Sequence, residues 1–153
     1  VAISQAGLLR EDGASPLYVA CQNGHLGVVR LLIESGANVK KARSDGTSPL
    51  FSASEEGHVD VLRLLIENGA DVNQTTNDEA SPLFIACEFG HHDVARLLLE
   101  GGADVEKANC DGSSPLMIAC QNNHLDVVRF LIENGASLKH TDIDGTSPLY
   151  LAS

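Results

Sequence analysis

The feature that most constrains this chain is a tripeptide that returns every 33 residues. Ser15-Pro16-Leu17, Ser48-Pro49-Leu50, Ser81-Pro82-Leu83, Ser114-Pro115-Leu116 and Ser147-Pro148-Leu149 stand one period apart. Gly36-Ala37, Gly69-Ala70, Gly102-Ala103 and Gly135-Ala136 keep the same step. A fixed period of this length marks stacked supersecondary units, each too small to bury its own apolar face. Such a stack offers a long surface and no deep chamber, which directs function toward binding rather than chemistry.

One unit, from Asp45 to Asn77, reads as two helices and a turn. Asp45-Gly46 is a turn signal. Ser48 is a helix N-cap, and Pro49 suits the first helical position because it has no N–H to leave unpaired. Leu50, Phe51 and Ala53 give a short helix one apolar side, and Gly57 supplies a left-handed C-cap. After His58, the residues Val59, Val61, Leu62, Leu64, Leu65 and Ile66 make a second helix that is apolar over most of its circumference. That predicts burial between neighbours. Gly69 ends it, and Ala70-Asp71-Val72-Asn73 leads into an extended turn. On the outer side Arg30 and Glu34, Arg63 and Glu67, Arg96 and Glu100, and Arg129 and Glu133 are four apart, while Asp60, Asp93 and Asp126 stand three before an Arg. Each such pair is worth about 0.3 kcal/mol on a solvated helix face.

The pattern divides the chain into repeats at 12–44, 45–77, 78–110 and 111–143, with a truncated fifth at 144–153. Residues 1–11 do not fit it, and Ala2, Ile3, Ala6, Leu8 and Leu9 are read as a short apolar lid on the first repeat. The last residues, Leu149-Tyr150-Leu151, have no second helix after them, which reads as a fragment of a longer array.

The unit resembles the ankyrin repeat. Ser48-Pro49-Leu50-Phe51-Ser52-Ala53, Gly57-His58 and Gly69-Ala70-Asp71-Val72-Asn73 follow that family's motif, and the match covers 12–153. Ser replaces the family's Thr in every copy, and its first-helix His becomes Tyr18, Phe51, Phe84, Met117 or Tyr150. Asn123 takes a Gly position, as Asn tolerates the left-handed region. The resemblance implies an all-α solenoid of helix-turn-helix repeats joined by β-turn or hairpin tips. It also implies a concave face built from the tips and the exposed side of the first helices. On that face fall Arg43, Ser44, Asp45 and Thr47; Thr76, Asn77 and Asp78; Asn109, Cys110 and Asp111; and Asp142, Ile143 and Asp144. Arg10, Glu11 and Asp12 precede them. The first helices add Gln22 and Asn23, Glu55 and Glu56, Glu88 and Phe89, and Gln121 and Asn122. Asn73 matches the position at which ankyrin repeats are hydroxylated; the equivalents are Lys40, Glu106 and Lys139.

With 43% apolar residues, 4% aromatics and no Trp, the core must be built from aliphatic side chains and Ala. The net charge of -11 and a pI near 4.7 repel phosphate backbones and anionic membranes and favour a basic partner. Cys21, Cys87 and Cys120 share one repeat position after apolar residues, and with Cys110 they form no CxxC pair. This usage reads as reduced thiols in an intracellular protein, cytoplasmic or nuclear.

His25, His58, His91 and His124 stand a full period apart, so no single metal ion collects them. No phosphate loop, GxSxG or HExxH occurs, and the repeated serines are caps rather than nucleophiles. No catalysis and no cofactor are expected. Phe89 and Ile143 are apolar where other copies are polar, which is how interface anchors look. Tyr18, Phe51, Phe84 and Tyr150 share a position that predicts packing between repeats. The expectation is a monomeric interaction scaffold that binds a protein or peptide on an acidic concave face. The alternative is a spacer or self-associating segment, joined end to end through the truncated last repeat.

Overall fold

The computed structural model describes residues 11–151. Its helices come in pairs: α1 (Pro16–Gln22) with α2 (Leu26–Glu34), α3 (Pro49–Glu56) with α4 (Val59–Glu67), α5 (Pro82–Glu88) with α6 (His92–Glu100), and α7 (Pro115–Gln121) with α8 (Leu125–Glu133). A single short helix, α9 (Pro148–Leu151), follows. No strand occurs among the described residues. The first helices pack in one row, α1 on α3 on α5 on α7 on α9, and the second helices in another, α2 on α4 on α6 on α8. Residues 1–10, which include most of the expected apolar lid, lie outside the described residues, as do 152 and 153.

Each first helix starts as its Ser-Pro pair dictates. The hydroxyls of Ser15, Ser48, Ser81 and Ser114, on extended backbone, accept the N–H of Tyr18, Phe51, Phe84 and Met117 at 3.1, 3.0, 3.1 and 3.3 Å. Proline takes the next position, where no donor is required. Behind the caps, Leu17, Leu50, Leu83 and Leu116 are completely enclosed, as are Ala53, Ala86 and Ala119.

The turn between paired helices is held from the next repeat. Nε2 of His58, His91 and His124 lies 3.0, 2.8 and 2.9 Å from the backbone oxygens of Gln22, Glu55 and Glu88. The glycine of that turn has two reasons to be glycine. Gly90 sits at φ +74°, and a Cβ there would stand 2.5 Å from the His124 ring. Asn123 holds the same left-handed conformation at φ 59°.

The structure departs from three expectations. Burial of the second helix between its neighbours holds for α4 and α6, whereas Val28 and Leu31 of α2 and Leu125 and Ile132 of α8 are exposed. Among the described residues a second helix in the middle of the row has one on either side, and α2 and α8 each have one. Tyr18, Phe51 and Phe84 are buried as predicted, but Tyr150, on the last described helix, is exposed. Of the outer charge pairs only Asp93–Arg96, three apart, closes, at 3.1 Å. The pairs four apart make no contact, in keeping with the small worth of solvated ion pairs.

Candidate functional site

Between one helix pair and the next, the chain makes a hydrogen-bonded turn. Arg43, Thr76, Asn109 and Asp142 donate their backbone N–H to the carbonyls of Thr47, Ala80, Ser113 and Thr146 at 2.9–3.1 Å. The tips are tied to one another by one backbone bond per repeat. Ser44 N–H donates to Asp12 O at 3.2 Å, Asn77 to Asp45 at 3.0 Å, Cys110 to Asp78 at 2.9 Å and Ile143 to Asp111 at 3.0 Å. The tips and the C-terminal ends of α3, α5 and α7 together carry the residues expected on the binding face.

Many of those residues build the turns themselves. The Asp45 carboxylate accepts the backbone N–H and the hydroxyl of Thr47. Thr76 Oγ1 accepts Ala80 N–H at 3.2 Å, and Asn109 Oδ1 accepts Ser113 N–H at 2.9 Å. Asp142 Oδ1 accepts the N–H of Asp144 and Thr146 at 3.0 and 2.8 Å. Asn77 Nδ2 donates to Ser44 O at 3.0 Å, and Ser44 Oγ donates to Asp12 O at 2.9 Å. Thr47 is half-buried.

Arg43 is caged. Its guanidinium lies 5.3 Å from the centre of the Tyr18 ring, donates to Tyr18 Oη at 3.3 Å and pairs with Asp12 at 3.3 Å and Asp45 at 3.6 Å. The Tyr18 hydrogen bond and the two carboxylates hold Arg43 more firmly protonated than usual. Asp45 sits below its ordinary range: its desolvation is outweighed by the two Thr47 hydrogen bonds and by Arg43. Arg43 is therefore committed internally.

Several carboxylates and one aromatic side chain are exposed here. Asp78, Asp111 and Asp144 are exposed at successive tips, and Ile143 is 78% exposed. At the helix ends Glu56, Gln121, Asn122 and Phe89 are exposed, while Glu55 and Glu88 are half-buried. Burial, then the negative charges of Glu56 and Glu88, push the Glu55 carboxyl up, with Arg43 partly opposing them. Phe89 is the C-cap of α5 and is 52% exposed, its ring stacked on His91 at 6.3 Å. Asn122 Nδ2 donates to Glu88 O at 2.9 Å and so fixes the backbone beside it.

Away from this face, Asn73 is held by both ends of its amide. Nδ2 donates to Gly102 O at 3.1 Å and Oδ1 accepts Asp104 N–H at 2.9 Å, stitching the second repeat to the third. Cys21 and Cys87 are fully buried, and burial pushes their thiols up, Cys21 to about 12; Cys120, less enclosed, moves the same way. Cys110 is exposed at a tip. Among the described residues no group of three or more His, Cys, Asp or Glu side chains is placed to hold a metal ion. No helix among the described residues is long and apolar enough to cross a membrane.

Two features escaped the reading of the sequence. Glu79 adopts φ 61° and pairs with Lys107 at 3.2 Å. Its equivalents, Gly46, Gly112 and Gly145, all have positive φ, so the period alone could have marked it. The cage around Arg43 needs Asp12 and Tyr18 from the start of its own repeat and Asp45 from the next, which only the folded arrangement reveals.

The family model described as "Ankyrin repeats (3 copies)" matches residues 2–76 and 72–142. A comparison with curated proteins finds no match. Ankyrin repeats are in general protein–protein interaction modules. The matched segments span most of the chain, the helices pair as the motif requires, and the chain belongs to the ankyrin repeat family.

Proposed function

We propose that the chain is a non-catalytic interaction scaffold, working inside the cell in the cytoplasm or nucleus, whose concave face binds a basic segment of a partner protein. The observation that carries this reading is Phe89. A half-exposed aromatic ring follows Glu88 at the end of α5, and the end of the neighbouring α3 carries Glu55 and Glu56. A cationic side chain from a partner can lie on such a ring and reach a carboxylate at the same time, and a desolvated cation–π contact is worth about 2 kcal/mol. The surrounding charge raises the rate of approach more than the final affinity. Family membership supports a protein as the partner. The reduced, buried thiols support an intracellular setting. The non-catalytic reading rests on the tip-face hydroxyls and amides, which are engaged in holding turns.

The test is affinity capture with the parent chain and with a Phe89→Ala, Glu55→Lys, Glu56→Lys variant shown to melt at a similar temperature. A partner retained by the parent and lost by the variant supports the face, and its contact segment should be rich in Lys or Arg. Equal retention by both removes this face from the account.

A further inference from the structure

Two rows of side chains run along the stack, and neither is uniform. The first lies at the C-terminal ends of α1, α3, α5 and α7 and reads Gln22-Asn23, Glu55-Glu56, Glu88-Phe89 and Gln121-Asn122. Carboxylates occur in the second and third repeats, with neutral amides on either side of them. The carboxylates are near enough to act on one another: after burial, the charges of Glu56 and Glu88 raise the Glu55 carboxyl.

The second row lies on the turns between helix pairs, at Ser44, Asn77, Cys110 and Ile143. Successive members are neighbours, because each donates its backbone N–H to the aspartate carbonyl of the turn before. Along this row a hydroxyl and an amide give way to a thiol and an aliphatic group. Asn77 and Cys110 are exposed although a described turn lies on either side of each, so the position is open inside the stack. Ile143 is 78% exposed, more than any other large apolar residue described. A lone exposed apolar side chain is ordinary on a protein surface. Its place is what counts here: it stands two turns on from the repeat that carries Phe89. Asp45, Asp78, Asp111 and Asp144 recur at each turn and give that row a constant charge.

Resting on the reading that this face takes a basic partner segment, we propose that the segment is extended along the stack, with Lys or Arg over Glu55, Glu56, Glu88 and Phe89 and a bulky apolar residue over Ile143. Past Phe89 the helix row offers only amides, so further positive charge gains less there than an apolar side chain does. The two parts of the contact draw on different forces. The carboxylates attract through charge, which salt screens. Covering Ile143 removes apolar surface from water, which salt does not screen. Neighbouring helices pack about 8–10 Å apart and an extended chain advances about 3.3 Å per residue, so two repeat steps take up about five or six residues of the segment.

A phage-displayed library of random peptides long enough to span the stack, selected on the folded full chain, tests this. Enriched peptides should carry Lys or Arg and, about five or six residues away, an aliphatic or aromatic residue. Ile143→Ser should weaken a selected peptide about tenfold at low and high salt alike. Glu55→Gln with Glu56→Gln should weaken it by a factor that shrinks as salt is added. Both variants substitute side chains outside the core and should fold, which a melting curve checks. Basic peptides that bind the parent and Ile143→Ser equally, or whose apolar residue keeps no fixed distance from the cations, overturn the proposal and leave the basic-partner reading standing. Selected peptides without Lys or Arg overturn both. An empty selection overturns the extended segment alone, since affinity capture of whole partners tests the face itself.

Discussion

Helices α4 and α8 are nearly the same sequence. Val-Asp-Val-Leu-Arg-Leu-Leu-Ile-Glu and Leu-Asp-Val-Val-Arg-Phe-Leu-Ile-Glu differ at three positions, each time by one apolar residue for another. Yet α4 buries Val61, Leu62, Leu64 and Leu65, and α8 only Val127 and Leu131. An apolar edge states that something should cover it, and the neighbouring helix decides whether anything does. In a stack whose units contact only their neighbours, stability is close to a sum over repeats and their interfaces. The two helices should then differ in what a substitution at the same repeat position costs.

The largest test of that contrast is one residue type at one repeat position. Leu64→Ala should cost roughly 2–4 kcal/mol, because it opens a cavity between α2 and α4, whereas Leu31→Ala should cost less than about 0.5 kcal/mol. Chemical denaturation measures both, and similar losses would mean that α2 is covered as α4 is. Next comes the turn between paired helices. Gly90→Ala should cost about 1–2 kcal/mol from its left-handed backbone alone, with the displaced His124 ring adding to it, while Asn123→Ala should cost under about 1 kcal/mol.

A kinetic measurement sharpens the same contrast. With a thiol reagent on the folded protein, Cys110 should react first and Cys120 second, with Cys21 and Cys87 reacting only as fast as the fold opens. Cys87 and Cys120 share a repeat position, so their separation in rate reads the difference between middle and end directly.

The smallest effect concerns pH. Burial beside Glu56 and Glu88 holds the Glu55 carboxyl above its ordinary value of 4.5, so the folded chain holds that proton more tightly than the unfolded one. Its contribution to stability is complete below pH 4.5 and is lost as pH rises through the raised value. Glu55→Gln should therefore match the parent's melting temperature in acid and exceed it at neutral pH.

The helix pairs, their caps and the histidine turns were legible in the sequence because each depends on a local residue type returning at a fixed step. Ser48 caps Phe51, and Gly57 closes α3 in the left-handed conformation, as their spacing requires. Which apolar side chains would be left open was not legible. Leu31 and Leu64 carry the same pattern, and among the described residues only Leu64 has a second helix before it. The candidate face was legible by position but not by role. Thr76, Asn109 and Asp142 stand where expected and hold their own turns, and Arg43 is enclosed by a tyrosine 25 residues away. Phe89 stood out because its equivalents are Asn23, Glu56 and Asn122, and it is also the exposed aromatic of that face.

The most direct test of the account is to map a captured basic partner segment onto the isotope-labelled chain by NMR. The account predicts amide shifts centred on Glu55, Glu56, Glu88 and Phe89 and spreading to the tips at Asp78 and Asp111. Shifts centred on Val28 and Leu31, or on Leu125 and Ile132, would place the partner on the ends of the stack and contradict it.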